Sequence, residues 1–190
     1  MAWKKSAVKK SYTEASLYEY ALGALGRRMR TVAELTRLMR TRAAHQPDCD
    51  ALISVVTARL KEYGYLNDAS YATAYSAMRR DSEKFGRIRV VQDLKAKGVH
   101  PEVIDKTVGE SYGEVDEQKL AREFAARKRL KQPKDQKEAA RIFRMMARAG
   151  FTSRVIVGLL RNWHVEDETL TALEQEREMA DNSTLMEEES

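Results

Sequence analysis

The chain has 190 residues, 33% of them charged and 43% hydrophobic, with a formal net charge of +5. It holds only 3 Pro and 9 Gly and no long run that alternates apolar with polar residues, so the composition favours helices over strands. Cys49 is the single cysteine, which excludes a disulfide framework within the chain and predicts a reducing, cytoplasmic location, and no stretch is apolar enough to span a membrane.

The predicted elements begin after a short basic arm, residues 1–11, which lacks periodicity. Apolar residues at helical spacing then predict three helices in residues 12–66. Thr31 and Glu34 form a capping box at the start of the second helix. Gly64 ends the third helix, because glycine readily adopts the left-handed conformation that follows many helices. We take residues 12–66 as the first three-helix repeat.

The pattern restarts in residues 67–112, the second repeat. Asn67 and Asp68 can cap its first helix. Gly86 and Gly98 mark the breaks after its first and second helices. We assign Asp68 and both glycines to turns and caps rather than to binding.

A third repeat, residues 113–165, follows the second at a constant offset of 52 positions, which pairs Gly98 with Gly150 and Ile104 with Ile156. A recurring period of this size is typical of repeat proteins, in which each unit buries its apolar face against its neighbour. Gly150 takes the same turn role as Gly98. The predicted fold class is therefore all-α, with three tandem three-helix repeats.

Charge is unevenly distributed along the chain. Residues 166–190 hold ten acids and one base, so this tail carries −9 and residues 1–165 carry +14. We expect the tail to be helical to about Ala180 and disordered from Asp181. The basic body indicates a polyanionic partner, and we hypothesise that the tail folds back on it and weakens anion binding. A plain solubility surface with a disordered end is the alternative.

Basic residues recur at equivalent positions, where the first helix of each repeat ends: Arg27-Arg28, Arg79-Arg80 and Arg127-Lys128-Arg129. Regular stacking of the repeats would align these groups as one stripe. Interaction with the helix dipole explains a single cation at such a site but does not require two or three.

No catalytic, metal or cofactor site is recognisable in the sequence. His45, His100 and His164 lie far apart and lack partners at metal-ligand spacing, and no nucleotide-binding loop or nucleophile motif occurs. We therefore predict a protein without enzymatic activity and without a cofactor. Most aromatic residues have core spacing, which argues against base stacking. Tyr63 and Tyr65 flank a turn where a contact across the helix end is expected.

Three segments resemble the RecX family of regulatory proteins. Residues 60–68 (LKEYGYLND) are similar to that family's Leu-x-x-x-Gly-Tyr-Leu-Asp-Asp turn, with Asn67 in place of the usual Asp. Residues 85–99 resemble its Gly-x-x-x-Ile segment with the following Leu-x-x-Lys-Gly-Ile, and residues 148–163 resemble its C-terminal helix pair. The likeness covers about residues 12–163.

The resemblance implies an elongated, curved array of the three repeats, with helices at right angles, that lies in the groove of the RecA filament on single-stranded DNA. Members of the family inhibit the ATPase, strand-exchange and co-protease activities of RecA and favour filament disassembly. The expected partners are the RecA filament and single-stranded DNA, with no membrane and a monomeric chain. The expected contact residues form a basic stripe: Arg79, Arg80, Arg87, Arg89, Lys95, Lys97, Arg127, Lys128, Arg141 and Arg144.

Two other functions stay open. The first is an autonomous helical DNA-binding protein, such as a helix-turn-helix transcription regulator, for which residues 87–92 (RIRVVQ) are a weak base-reading candidate. It predicts a steep salt dependence on bare duplex, whereas filament binding predicts effects that require RecA. The second is a scaffold that recruits partners through its tail, which deletion of residues 166–190 would test.

Overall fold

The computed structural model of the protein describes residues 11–188, with side chains to residue 179. Those residues form ten α-helices and contain no β-strand, so the predicted all-α fold is confirmed. In chain order the helices are α1 (Glu14–Leu25), α2 (Val32–Ala43), α3 (Cys49–Glu62), α4 (Asp68–Asp81), α5 (Arg87–Ala96), α6 (Pro101–Tyr112), α7 (Glu117–Arg127), α8 (Gln136–Arg148), α9 (Ser153–Asn162) and α10 (Asp167–Glu188). Apart from Ser11, the predicted basic arm lies outside the described residues.

Short polar side chains cap the N-termini of several helices. The Thr31 hydroxyl accepts a hydrogen bond from the Glu34 N–H (3.0 Å), and the Asp135 carboxylate accepts one from the Glu138 N–H (2.8 Å). Each bond satisfies a backbone donor that has no partner within its helix. Pro101 is the first residue of α6, where a missing N–H costs nothing. Local chemistry therefore sets where these helices start.

Helices α3, α5 and α8 are each followed by a glycine in the left-handed region, with φ of +72° at Gly64, +75° at Gly98 and +92° at Gly150. Side chains larger than hydrogen are strained in this conformation. After each glycine the next backbone N–H bonds back to a carbonyl of the last helical turn, so these three glycines end their helices as left-handed caps.

The chain forms two compact units. Among the described residues, the first comprises residues 11–74 and 94–104, and the second residues 75–93 and 105–188. Helices α4, α5 and α6 therefore contribute residues to both units. In the first unit, α1, α2 and α3 pack against one another. Their shared core includes Leu17, Leu35, Met39, Ile53 and Leu60.

In the second unit, α9 packs against α7, α8 and α10. The Phe124 ring lies at the centre, 6.1 Å from the Phe85 ring and 5.6 Å from the Phe151 ring, measured between centroids. Leu170 and Leu173 of α10 are buried. Helix α10 passes position 181, where disorder is expected from the sequence, although side chains there lie outside the described part. Among the described residues, none of the helices has the length and apolarity that crossing a membrane requires.

Candidate functional site

The ten residues of the predicted basic stripe differ in what their side chains contact. Lys95 and Lys97 belong to the first unit and the other eight to the second. Arg144 is exposed and lies 3.6 Å from the Glu176 carboxylate. Four are half-buried and bonded within the protein: Arg79, Arg80, Arg89 and Lys97. Five are exposed and form no ion pair with any described residue: Arg87, Lys95, Arg127, Lys128 and Arg141.

Arg79 is the centre of a hydrogen-bonded network in the second unit. Its Nε donates to the Tyr75 hydroxyl (2.8 Å), and its two terminal nitrogens lie 2.6 Å from Glu83 and 3.2 Å from Asp93. The Tyr75 hydroxyl donates in turn to Asp93 (2.8 Å). Burial alone would lower the pKa of Arg79, but its bonds to Tyr75 and Glu83 raise it. The network therefore holds Arg79 as a structural cation.

Arg80 and Arg89 are also engaged within the second unit. Arg80 Nε lies 2.7 Å from the Asp81 carboxylate, and its terminal nitrogen donates to the Ser111 carbonyl (2.5 Å). Arg89 Nε lies 3.0 Å from Asp93, but the buried Nε–H does not point at a hydrogen-bond acceptor. Attraction between opposite charges, rather than a well-directed hydrogen bond, holds Arg89 at this place.

In the first unit, Lys97 joins the end of α5 to the start of α2. Its ammonium lies 2.9 Å from the Glu34 carboxylate, and its backbone carbonyl accepts a hydrogen bond from the Thr31 hydroxyl (2.7 Å). Burial by itself would raise the pKa of Glu34, but the hydrogen bond and the charge of Lys97 outweigh burial and lower it. Lys97 is thus part of a contact between helices.

Asn67, which precedes α4, and Asp68, the first residue of α4, cap different helices. Asn67 Oδ1 accepts from the Ser70 N–H (3.0 Å) and caps α4. The Asp68 carboxylate accepts from the Val32 N–H (2.8 Å) at the start of α2. The sequence assigns both residues to α4, but folding brings the unsatisfied N–H groups of α2 within reach of Asp68. A carboxylate there also faces the positive end of the α2 dipole.

A second junction between helices occurs in the second unit, where the end of α8 meets the start of α5. The Gly86 N–H donates to the Ala149 carbonyl (2.9 Å), and the Ile88 N–H donates to the Gly150 carbonyl (3.2 Å). A Cβ on Gly86 would collide with the Gly150 carbonyl oxygen, which is a backbone atom. Gly86 has no positive φ, so close approach of two backbones, rather than a turn, requires glycine here.

Two of the exposed cations, Lys128 and Arg141, line one cleft of about 410 Å³ in the second unit. The cleft lies between the end of α7, the loop that follows it and α8. Three further cations line it that the predicted stripe does not include: Arg129, Lys131 and Lys134. Arg129 belongs to the basic group at positions 127–129 that recurs at the end of the first helix of each repeat, whereas Lys131 and Lys134 lie beyond that group. The high density of Lys and Arg in residues 127–134 is the feature of the sequence that predicts a basic site there.

A second cleft of the second unit, of about 420 Å³, brings Arg89 and Arg144 together with two more arginines, Arg148 and Arg177. The remaining residues that line it are Gln92, Phe143, Ala147, Leu173 and Glu176. Helix α10 therefore supplies an acid, an arginine and an apolar side chain to a cleft that also holds three arginines of α5 and α8.

Two further observations concern stacking and metal chemistry. Tyr63 and Tyr65 are 60% and 58% exposed, so the contact expected across the end of α3 does not bury them. Among the side chains that the structure describes, no three of His, Cys, Asp or Glu lie close enough together to hold a metal ion.

Comparison with known proteins finds one family. Residues 67–108 match the family described as "RecX, second three-helix domain". The regulatory protein RecX of Leptothrix cholodnii is 31% identical over 148 residues, which cover 78% of this chain and 89% of that protein. The regulatory protein RecX of Geobacillus kaustophilus is 29% identical over 168 residues; the match covers 86% of this chain but only 60% of the longer Geobacillus protein.

Solved structures share the fold. A crystal structure of regulatory protein RecX matches with a TM-score of 0.64 at 20% identity, over 78% of this chain and 71% of that chain. RecX from Lactobacillus salivarius matches with a TM-score of 0.62 at 19% identity, over 80% of this chain and 96% of that chain. Together with the match to a three-helix domain, these structures confirm the predicted three-helix repeats.

Proposed function

This chain belongs to the RecX family of regulatory proteins, and on that premise we propose that it regulates the RecA recombinase. It binds the RecA filament on single-stranded DNA, inhibits the ATPase, strand-exchange and co-protease activities of RecA, and favours filament disassembly. It acts by binding, as a cytoplasmic monomer without a cofactor or enzymatic activity of its own.

The observation that carries this proposal is the set of five exposed cations without an ion-pair partner in the described chain: Arg87, Lys95, Arg127, Lys128 and Arg141. A cation that is paired inside the protein must give up that pair to meet a partner, whereas these five have no ion pair to give up; the Lys128 ammonium lies 5.8 Å from the centre of the Phe124 ring. Several such contacts act together on a filament, because the first contact raises the effective concentration of the next. Acidic protein surface and DNA phosphate are both suitable partners for them.

The single-stranded-DNA-dependent ATPase of RecA tests the proposal when this protein is titrated into it. We expect Arg87→Glu with Lys95→Glu to raise the half-inhibitory concentration by about tenfold or more, because each reversal replaces attraction by repulsion. Arg89 and Lys97 are left unchanged, since their reversal would break the pairs with Asp93 and Glu34.

Lys106→Glu with Arg154→Glu is the matched control, because both residues are exposed, lie outside the predicted stripe and change the charge equally. An equal loss of inhibition in the two double variants would argue against the stripe. No inhibition by the unaltered protein would reject the proposed function. Binding to bare duplex DNA with a steep salt slope and no effect on RecA would favour the autonomous DNA-binding alternative.

A further inference from the structure

The cleft at the end of α7 has an unusual excess of positive charge. Of the ten residues that line it, five are cations and one, Glu138, is an acid. One oxygen of that acid already accepts a hydrogen bond from the Lys134 N–H (2.9 Å). All five cations are exposed, and none forms an ion pair with a residue in the described part of the chain. Their charges are therefore concentrated in one concave place and not neutralised by the protein itself.

The backbone at Arg129 adds an independent reason to assign a function to this cleft. Arg129 has a φ of +53° and closes the end of α7, where Leu130 N–H donates to the Ala125 carbonyl (2.9 Å). Glycine is the usual residue in this conformation, and a larger residue there is strained. Lys84 and His164 have the same backbone conformation, and the Lys84 side chain pairs with Glu123 (2.8 Å). The strain at Arg129 is not offset by such a pair, and uncompensated strain often marks a functional position.

We propose that this cleft binds the sugar-phosphate backbone of single-stranded nucleic acid through Lys128, Arg129, Lys131, Lys134 and Arg141. The inference deepens the proposed function, because it gives this protein a direct contact with the DNA strand on which the filament forms. Phosphates are usually bound by several Lys and Arg side chains that make no contact with the base edges. A cleft of about 410 Å³ has room for part of one strand.

The composition of the cleft favours nucleic acid over an acidic protein surface. Protein interfaces are anchored by apolar and aromatic side chains at a core that is depleted of charge. No aromatic residue lines this cleft, and its apolar residues, Leu130, Ile142 and Met145, are buried or half-buried. Because no ring is available for stacking, we expect binding to be indifferent to the base.

Fluorescence anisotropy with a labelled oligothymidylate, without RecA, tests this inference. The variant Lys131→Gln, Lys134→Gln, Arg141→Gln should bind about tenfold or more weakly at low salt. The slope of log affinity against log salt should fall by about 2, since each phosphate contact on a single strand contributes about 0.7. Oligodeoxyadenylate should show the same loss. The matched control is Lys106→Gln, Lys137→Gln, Arg154→Gln, three exposed cations that do not line the cleft.

Arg129→Gly separates binding from folding, because it removes the side chain and also relieves the strained backbone. We expect weaker oligonucleotide binding together with an unchanged or higher melting temperature. Unchanged binding in Arg129→Gly and in the cleft triple variant would overturn the inference, and so would an equal loss in the control triple variant. Cleft-dependent binding to polyglutamate but not to oligothymidylate would assign the cleft to an acidic protein instead. Inhibition of RecA by the unaltered protein and by the variant Arg87→Glu with Lys95→Glu tests the proposed function separately, because neither Arg87 nor Lys95 lines the cleft.

Discussion

Arg79 and Arg87 show how differently two residues of the predicted stripe behave at the residue scale. The Arg79 side chain is only 21% exposed, and its guanidinium bonds to Tyr75, Glu83 and Asp93. Arg87 is exposed at the start of α5 without an ion pair in the described chain. The sequence does not distinguish them, since both are arginines near a helix boundary. The difference predicts opposite sensitivities of stability and binding.

Arg79→Ala should lower the free energy of unfolding by about 2 kcal/mol, because Glu83 would remain partly buried without its cation and Asp93 would keep only Arg89. Arg87→Ala should change it by less than about 0.5 kcal/mol, as expected of an exposed residue. Urea denaturation followed by circular dichroism measures both. Equal losses in the two variants would show that the Arg79 network contributes no special stability.

The lowered pKa of Glu34 predicts acid sensitivity of the contact between α2 and Lys97. Because the folded-state pKa lies below the ordinary value of 4.5, the unfolded chain takes up a proton first as the pH falls. The stabilisation is therefore complete above pH 4.5 and is lost as the pH falls through the folded-state pKa.

Glu34→Gln should lower the melting temperature at neutral pH and reduce its decline toward acid pH. Thermal unfolding across this pH range measures the effect. Glu114→Gln, at an exposed position, is the control and should keep the decline of the unaltered protein. An identical pH profile for Glu34→Gln and the unaltered protein would contradict the role of the ion pair.

At the scale of elements, one contact is built twice, once in each unit. The Lys97 carbonyl at the end of α5 accepts from the Thr31 hydroxyl before α2. The Ala149 carbonyl at the end of α8 accepts from the Gly86 N–H before α5. Lys97 and Ala149 are equivalent under the 52-residue offset, so the same point of the repeat meets the start of another helix in both places. The donor is the Thr31 side chain in the first junction and the Gly86 backbone N–H in the second. The second junction brings two backbones close together, and this close approach requires glycine.

Gly86→Ala should therefore lower the free energy of unfolding by about 3 kcal/mol, because the new Cβ would collide with the Gly150 backbone. Gly109→Ala is the matched control within α6, where a Cβ has no neighbour within 4 Å. That variant should gain about 0.5–1 kcal/mol from helix propensity. Melting temperatures would show opposite shifts. A neutral Gly86→Ala would mean that the junction can widen at little cost.

At the scale of the whole molecule, charge is divided between a basic body and the acidic residues 166–190. In the second unit this acidic segment begins as α10, which is attached through the buried Leu170 and Leu173. Glu176 lies 3.6 Å from Arg144, in a pair whose side chains are more than half exposed. Such a pair contributes little stability, so an incoming anion can replace the acid. We propose that α10 competes with anions for the arginines around it.

Glu176→Gln with Glu178→Gln should tighten binding of oligothymidylate by about threefold at low salt and by much less at high salt, where screening removes the effect. These substitutions leave Leu170 and Leu173 in place, whereas deletion of the tail would uncover the apolar surface beneath them. The control is Glu110→Gln with Glu114→Gln, which makes the same change of charge at two exposed positions, the first in α6 and the second after it. Equal tightening in the two double variants would assign the effect to net charge alone.

Much of the fold follows from local sequence. Helix periodicity, the caps at Thr31 and Asn67, and the glycines after α3, α5 and α8 depend on residues within a few positions of one another. The repeat offset of 52 positions is likewise evident from the sequence, and it identifies Gly98 and Gly150 as equivalent. The family resemblance is carried by the same turn and helix-end residues.

Only the tertiary structure decides which cations are available for binding. Lys97 is neutralised by Glu34, which is 63 positions away in the chain, and Arg80 bonds to a carbonyl 31 positions away. Conversely, Lys131 and Lys134 meet Arg141 in one cleft because a loop folds beside α8. The physical reason is that hydrogen bonding and charge pairing depend on distance in space, whereas helix formation depends on neighbours along the chain.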